Sequence, residues 1–281
     1  QYMPNFTAFV EKYNLQPDLD SIRQADGKFY RLPGLHQAVA PNYTLMVRDD
    51  IFKAAGYDVR ELEKTWTWES LLDVLIEVKK YMVKQGMIKA SDYIWSDLWC
   101  GSESGKGSGG NLLKLMGTSY NVLSGWAIDG SNGGFKWDEK KTAFYSSSTS
   151  ADFKKFITVA NRYVKEGILD PETFTQADDV ANNKFFNGKT IIKSTNLSQM
   201  QSDIDSVKKI VPNAEIYITV YPAGTTNKLS DGGRLENGVM LSRKALDELG
   251  EVEFIKMVRF VDWLFYSSEA YSLYKWGPEG K

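Results

Sequence analysis

The segment from Ala151 to Asn196 constrains this chain more than any other, because its hydrophobic period changes from helical to strand-like within a short length. Phe153, Phe156, Ile157, Ala160, Tyr163 and Val164 recur at helical spacing, so one face of a helix over 151–166 is expected to be buried. Ser150 offers an N-cap, and Asp152 places negative charge in the first turn. Gly167 suits a left-handed residue after the last turn, and Pro171 prevents the same helix from resuming. Asn187-Gly188 then turns into the run Thr190-Ile191-Ile192, which finishes at the small polar residues Ser194-Thr195-Asn196. A helix feeding such a strand is one unit of an open α/β sheet, in which ligands sit beyond the carboxyl ends of the strands.

Composition narrows the function classes. The chain has 281 residues, 42% hydrophobic and 25% charged, enough for one large domain or two lobes. The net charge is −2 and Lys and Arg are dispersed, so no basic stripe points to nucleic acid. No run of about 18 apolar residues is present, so no membrane-spanning helix is expected. The single cysteine, Cys100, excludes an internal disulfide, and the single histidine, His36, gives a His-rich metal site no support. Aromatics make up 13%, including 8 Trp and 15 Tyr; they serve either as core or as flat amphipathic platforms in a binding cleft.

Along the chain, Phe6, Phe9, Val10 and Tyr13 predict a short amphipathic helix ended by Gln16-Pro17-Asp18. Asp26-Gly27 turns into a strand over Lys28–Pro33, and Gly34 to Pro41 is a loop holding His36. Tyr43–Arg48 is a strand, followed by a charged turn and a short helix to Gly56. Trp66-Thr67-Trp68 opens a helix with Leu71, Leu72, Val74, Leu75, Val78 and Met82 on one side and Thr67 as its cap; Trp68 reads as structural. Tyr93–Trp99 is a short strand and its exit, before the Gly- and Ser-rich stretch Ser102–Gly110. Gly105–Gly110 matches G-x-G-x-x-G, with Asp129 downstream, but no buried β-branched strand precedes it. The G-x-x-x-x-G-K-[ST] pattern also fails, because Gly101 to Gly105 is one residue short. Leu112, Leu113, Leu115 and Met116 form a helix stopped at Gly117, and 125–130 with 133–138 reads as a hairpin. Strands over Glu215–Pro222 and Asn237–Ser242 follow, then a helix over 251–266 burying Phe254, Ile255, Val258, Val261 and Phe265.

Several of these pieces, in this order, resemble the extracellular solute-binding proteins of carbohydrate ABC importers, especially their long lipoprotein branch in Gram-positive bacteria. Tyr163-Val164-Lys165-Glu166-Gly167-Ile168-Leu169-Asp170-Pro171-Glu172 followed by Phe185-Phe186-Asn187-Gly188-Lys189 carries the resemblance. So do Asp26-Gly27-Lys28-x-Tyr30-x-Leu32-Pro33, the strand and Gly-terminated helix over 43–56, Thr67-Trp68 and the strand ending at Pro222. Asp262-Trp263-Leu264-Phe265-Tyr266-Ser267-Ser268-Glu269-Ala270 is among the more specific matches, and the similarity runs from about residue 24 to the end. The resemblance implies a two-lobed α/β fold of the type II periplasmic-binding-protein kind, incomplete at both ends. Lobe 1 would be 1–48 with 237–281, lobe 2 would be 49–236, and hinge crossings would fall near 48–50 and 235–237. It further implies a monomer outside the cell, held by a lipid on an N-terminal segment absent from this chain, whose partner is a membrane permease.

On this reading the chain binds a sugar or oligosaccharide in the interlobe cleft, with no catalytic residue, no metal and no cofactor. Aromatic faces would stack on sugar rings and polar side chains would take the hydroxyls. The candidates, at carboxyl ends of strands or in cleft loops, are His36, Trp95, Asp97, Trp99, Asn196, Tyr221, Glu236 and Trp276. Trp95 and Trp99 flank Asp97 at spacing i, i+4, so the two rings are expected nearest the ligand. A peptide or other small solute remains an alternative ligand. An enzyme acting on glycosides needs only two carboxylates, and no spacing selects a pair among the 36 present. A Ser-His-Asp enzyme would depend on His36, without a G-x-S-x-G elbow. An isolated carbohydrate-binding module is disfavoured because helices and strands alternate.

Overall fold

The computed structural model describes residues 2–35, 43–98, 110–122, 135–226 and 234–279. The chain divides into two compact units, 41–230 and the discontinuous pair 1–40 with 231–281. In chain order the helices are α1 (Pro4–Tyr13), α2 (Gln16–Ser21), α3 (Asp49–Ala54), α4 (Val59–Leu62), α5 (Trp68–Lys84), α6 (Gly110–Ser119), α7 (Ala151–Lys165), α8 (Asp178–Phe186), α9 (Met200–Ile210), α10 (Arg243–Tyr266) and α11 (Ser268–Trp276). The strands are β1 (Leu32–Leu35), β2 (Tyr43–Arg48), β3 (Phe135–Asp138), β4 (Ala143–Ser146), β5 (Ile192–Asn196), β6 (Ile216–Thr219) and β7 (Leu235–Val239).

The larger unit is built on a three-stranded sheet in the order β5-β2-β6, with β2 antiparallel to both neighbours. β2 carries the apolar run Leu45-Met46-Val47 because both of its faces are covered. Leu45 and Val47 enter one core, shared with Phe52, with Leu71, Leu72, Leu75 and Val78 of α5, and with Phe156 and Tyr163 of α7. Met46 faces the other way, into a smaller cluster with Phe185 of α8 and Val207 of α9. Three expected caps are present. Thr67 and Ser70 close a capping box at α5, Ser150 accepts from the Phe153 N–H at α7, and Gly167 adopts φ +68° after α7.

Among its described residues the smaller unit has one antiparallel pair, β1 with β7, and four helices. Gly238 lies so close to the Leu32 carbonyl that a Cβ there would collide with it, which makes glycine obligatory in that register. The Asp262 carboxylate on α10 accepts from the Asn5 and Phe6 N–H groups at 3.1 and 2.7 Å, so one helix caps another. Arg234 binds Asp18 and the carbonyls of Tyr13 and Asn14 at the end of α1. Gly250, at φ +78°, breaks α10.

Several expectations shift. The strand over 43–48 was assigned to lobe 1, but it is the central strand of the larger unit's sheet, so the units part at 40/41 and 230/231 rather than at 48/49 and 236/237. Gln16-Pro17-Asp18 starts α2 instead of only ending α1, since Pro is tolerated in a first helical turn. The strand expected at 28–33 forms only over Leu32–Leu35, and that at 237–242 lies over Leu235–Val239. α6 runs through Gly117 to Ser119. Phe135–Asp138 does form a hairpin strand, but it pairs with Ala143–Ser146; the expected partner, 125–130, lies outside the described residues, as does Trp126. Trp137 is 44% exposed against Phe144, so it is not the packing residue that the resemblance, through a similar family hairpin, implies.

Candidate functional site

Because β5 and β6 both run against β2, their carboxyl ends and the first residue of β2 share one edge of the sheet. Tyr43 stands opposite Asn196 there, and Tyr221 lies two residues beyond Thr219, the partner of Leu45. α6 packs on β2 and β5 and reaches the same edge, with the Lys114 ammonium 4.1 Å from the centre of the Tyr43 ring. Burial pulls the Lys114 pKa down to about 8 and pushes that of Tyr221 up to about 12. The Asn196 carboxamide oxygen accepts from the Ser198 and Gln199 N–H groups and the Ser198 hydroxyl, which fixes its rotamer. The edge therefore combines two half-buried phenol rings, an ammonium and an oriented amide. Such a set can grip a polar, ring-shaped solute without doing chemistry on it.

Behind this edge lies a second polar cluster, and it is structural. Asp97 is fully enclosed; its carboxylate accepts from the Trp95 indole at 2.9 Å, the Leu98 N–H at 2.9 Å and the Ser194 hydroxyl at 2.5 Å. Desolvation raises its pKa against these donors, which lower it. Its own N–H donates to Thr173, and Gln176 donates to its carbonyl. Lys184 extends the cluster to Asp170 and Gln176. These contacts fasten 95–98 to the turn at 170–176 and to β5.

Trp95 was expected with an open ring. Its exposure is 0%, its backbone bridges Ile168 to Asp170, and its ring packs edge-on against Tyr163 at 5.7 Å. It is a core residue, and Asp97 serves that core. The structure thus brings Trp95 and Asp97 together, away from solvent, and places Asn196 and Tyr221 on the sheet edge. Glu236 is exposed on β7, and Trp276 ends α11 at 78% exposure, both in the smaller unit. His36 and Trp99 lie outside the described residues. Tyr43 and Lys114 were not foreseen. Their signal was an aromatic opening a buried strand and a lysine interrupting the apolar run 112–116.

Among the described residues no cluster of three or more His, Cys, Asp and Glu is placed to hold a metal, and no helix is long and apolar enough to cross a membrane. A shallow depression of about 440 Å³ lies on the first turns of α7, lined by Ser148, Ser150, Phe153 and Lys154 among others.

No protein-family model matches the chain, and no curated protein matches it in sequence. Solved structures do match. An HMO-binding, ABC-transporter-associated solute-binding protein from Bifidobacterium longum infantis is 17% identical at a TM-score of 0.64, over 99% of this chain and 53% of its own. The S. pneumoniae ABC-transporter substrate-binding protein FusA, in complex with kestose, is 15% identical at 0.64, over 100% and 52%. The alginate-binding protein AlgQ2 is 16% identical at 0.62, over 100% and 52%. The fold is therefore that of the extracellular solute-binding proteins of ABC transporters, of the two-lobed type II kind. This chain spans about half the length of the structures it matches.

Proposed function

We propose that this chain is part of the extracellular substrate-binding component of an ABC importer, and that it holds a sugar or oligosaccharide at the carboxyl edge of the larger unit's sheet. The observation that carries the reading is the end-to-end likeness in fold to solute-binding proteins that are named for, or hold, carbohydrate. The edge itself supports it, since Tyr43, Asn196 and Tyr221 supply the ring faces and hydroxyl partners a sugar needs. Ligand contact is assigned to Asn196 and Tyr221 among the residues foreseen from sequence, and not to Trp95 or Asp97. The protein works as a single copy, delivers its ligand to a membrane permease, is tethered outside the cell by a lipid, and binds no nucleic acid. It is a carrier and not a catalyst.

Titration calorimetry of the chain against a panel of short oligosaccharides tests this. Micromolar dissociation, roughly −8 kcal/mol, is expected for at least one sugar class, with no turnover. Hydrolysis of a nitrophenyl glycoside that one carboxylate substitution abolishes would overturn the carrier reading in favour of a glycosidase. Binding of peptides alone would overturn the sugar.

A further inference from the structure

The segment that carries Tyr221 leaves the sheet at Thr219 and is then bound to the start of α5 and the end of α6. Before Tyr221, the Val220 N–H donates to the Glu63 carboxylate at 2.8 Å, and the Val220 carbonyl accepts from the Trp66 indole at 3.1 Å. After it, the Ala223 N–H donates to the Trp66 carbonyl and the Ala223 carbonyl accepts from the Trp68 N–H, both at 3.1 Å. The Thr226 N–H donates to the Ser119 carbonyl at 2.8 Å. Between these ties Pro222 fixes its own φ through its ring. Gly224 lies directly against α6, where a Cβ would stand 2.6 Å from the Ser119 carbonyl oxygen and 2.8 Å from its hydroxyl. Ser119 has no room to retreat. It is fully enclosed, and its hydroxyl accepts from the Trp68 indole and donates to the Met116 carbonyl, both at 2.6 Å. Trp68 is enclosed in turn, with its carbonyl accepting from the Tyr163 hydroxyl. A loop that only links two elements is usually mobile, whereas this one is fastened on both sides of a single half-buried aromatic.

We propose that Trp66 and Gly224 are positioning residues for binding: through the main chain of 220–224 they hold the Tyr221 ring at the sheet edge in its binding orientation before the sugar arrives. The proposal rests on the carbohydrate reading above. Trp66 fixes the chain on either side of the ring, through its indole N–H and through its own carbonyl. Gly224 permits the close approach to Ser119 that sets where the loop lies. A ring ordered in advance loses little further freedom when it stacks on a sugar, so the fastening raises affinity without touching the ligand.

The test is calorimetric titration of the full chain with the oligosaccharide panel above, maltotriose, xylotriose and raffinose among its members. The proteins are the parent, Gly224→Ala, Trp66→Phe, Tyr221→Ala and the double variant Gly224→Ala with Tyr221→Ala. Gly224→Ala is expected to weaken the tightest sugar about tenfold and Trp66→Phe about threefold. In the Tyr221→Ala background, Gly224→Ala should cause no further loss, because both changes act on the same ring. A second readout needs no sugar. In fluorotyrosine-labelled protein, the fluorine resonance that Tyr221→Phe removes should move or split in Gly224→Ala, while a melting curve shows the core folded. If Gly224→Ala does not fold, Trp66→Phe supplies both readouts. Losses that simply add in the double variant, or a Tyr221 resonance that does not change, overturn the inference and leave the carrier reading standing. Absence of any carbohydrate binding by the parent overturns both.

Discussion

The two units of this chain solve the burial problem in opposite ways. The larger unit covers both faces of its sheet, and both apolar clusters formed among the described residues belong to it. Among the described residues of the smaller unit, the buried apolar side chains are Leu15, Leu19, Pro33, Val261 and Ala270. Val252, Phe260, Phe265, Tyr274 and Trp276 on α10 and α11 are all exposed there. What holds the smaller unit is polar and aromatic: Asp262 capping α1, Arg234 clamping Asp18, Phe6 on Tyr266 at 4.8 Å, and the Tyr266 hydroxyl on the Pro33 carbonyl. A contiguous stretch of chain can enclose a core from its own local patterns, whereas a unit assembled from two distant pieces depends on a few long-range contacts. The larger unit should therefore unfold as the cooperative block and the smaller one should open first.

The largest effect expected from a single change is in the larger core. Trp95→Ala removes a fully enclosed ring from between Tyr163 and β5 and takes away one donor from the buried Asp97. A cost of about 3–5 kcal/mol is expected. Trp276→Ala, at the exposed end of α11, should change stability by no more than roughly 0.5 kcal/mol. Chemical denaturation of the two variants measures this contrast, and equal costs would break the comparison between the units.

A smaller loss is expected where the smaller unit relies on its cap. Asp262 is buried and accepts from the Asn5 N–H, the Asn5 amide and the Phe6 N–H. Asp262→Ala leaves those donors unmet and should cost about 1–3 kcal/mol. The loss should appear in hydrogen exchange as faster exchange of α1 and α10, with α5 and α7 unchanged. Spread of the effect into α5 would show that the units do not open separately.

What could be read from the sequence follows the same division. Within 150–196 the periods and caps are local, and Ser150, Gly167 and the turn at Gly188 stand where the pattern put them. The ownership of β2 was not legible, because its partners β5 and β6 lie far along the chain and an apolar strand does not state which sheet it joins. Trp95 was misplaced for a related reason. Even spacing with Trp99 describes one face of an element, but whether that face meets solvent depends on Tyr163 and 168–170, which arrive from elsewhere. Lys114 was present as a lysine interrupting an apolar run, yet its position over Tyr43 needed the tertiary structure.

The smallest effect is a pH dependence confined to the larger unit. Burial lowers the Lys114 pKa from 10.5 to about 8. Below about pH 8 the lysine is protonated in both the folded and the unfolded chain, and the folded chain bears the full cost of enclosing the charge. As pH rises from about 8 to 10.5, the folded protein releases this proton while the unfolded chain still holds it. The unfolded state then binds more protons, so this group's contribution to stability rises with pH across that window. Other groups titrate there too, so the quantity to measure is the difference in melting temperature between the parent and Lys114→Met. The parent should gain on the variant between pH 8 and pH 10.5, and the two should differ by a constant amount below that range. The gain should be smaller than either effect above, because Lys114 is only partly enclosed and water screens the charge. A parent that loses stability relative to Lys114→Met across this window would mean that the ammonium is stabilised where it lies, and that α6 carries its own anion.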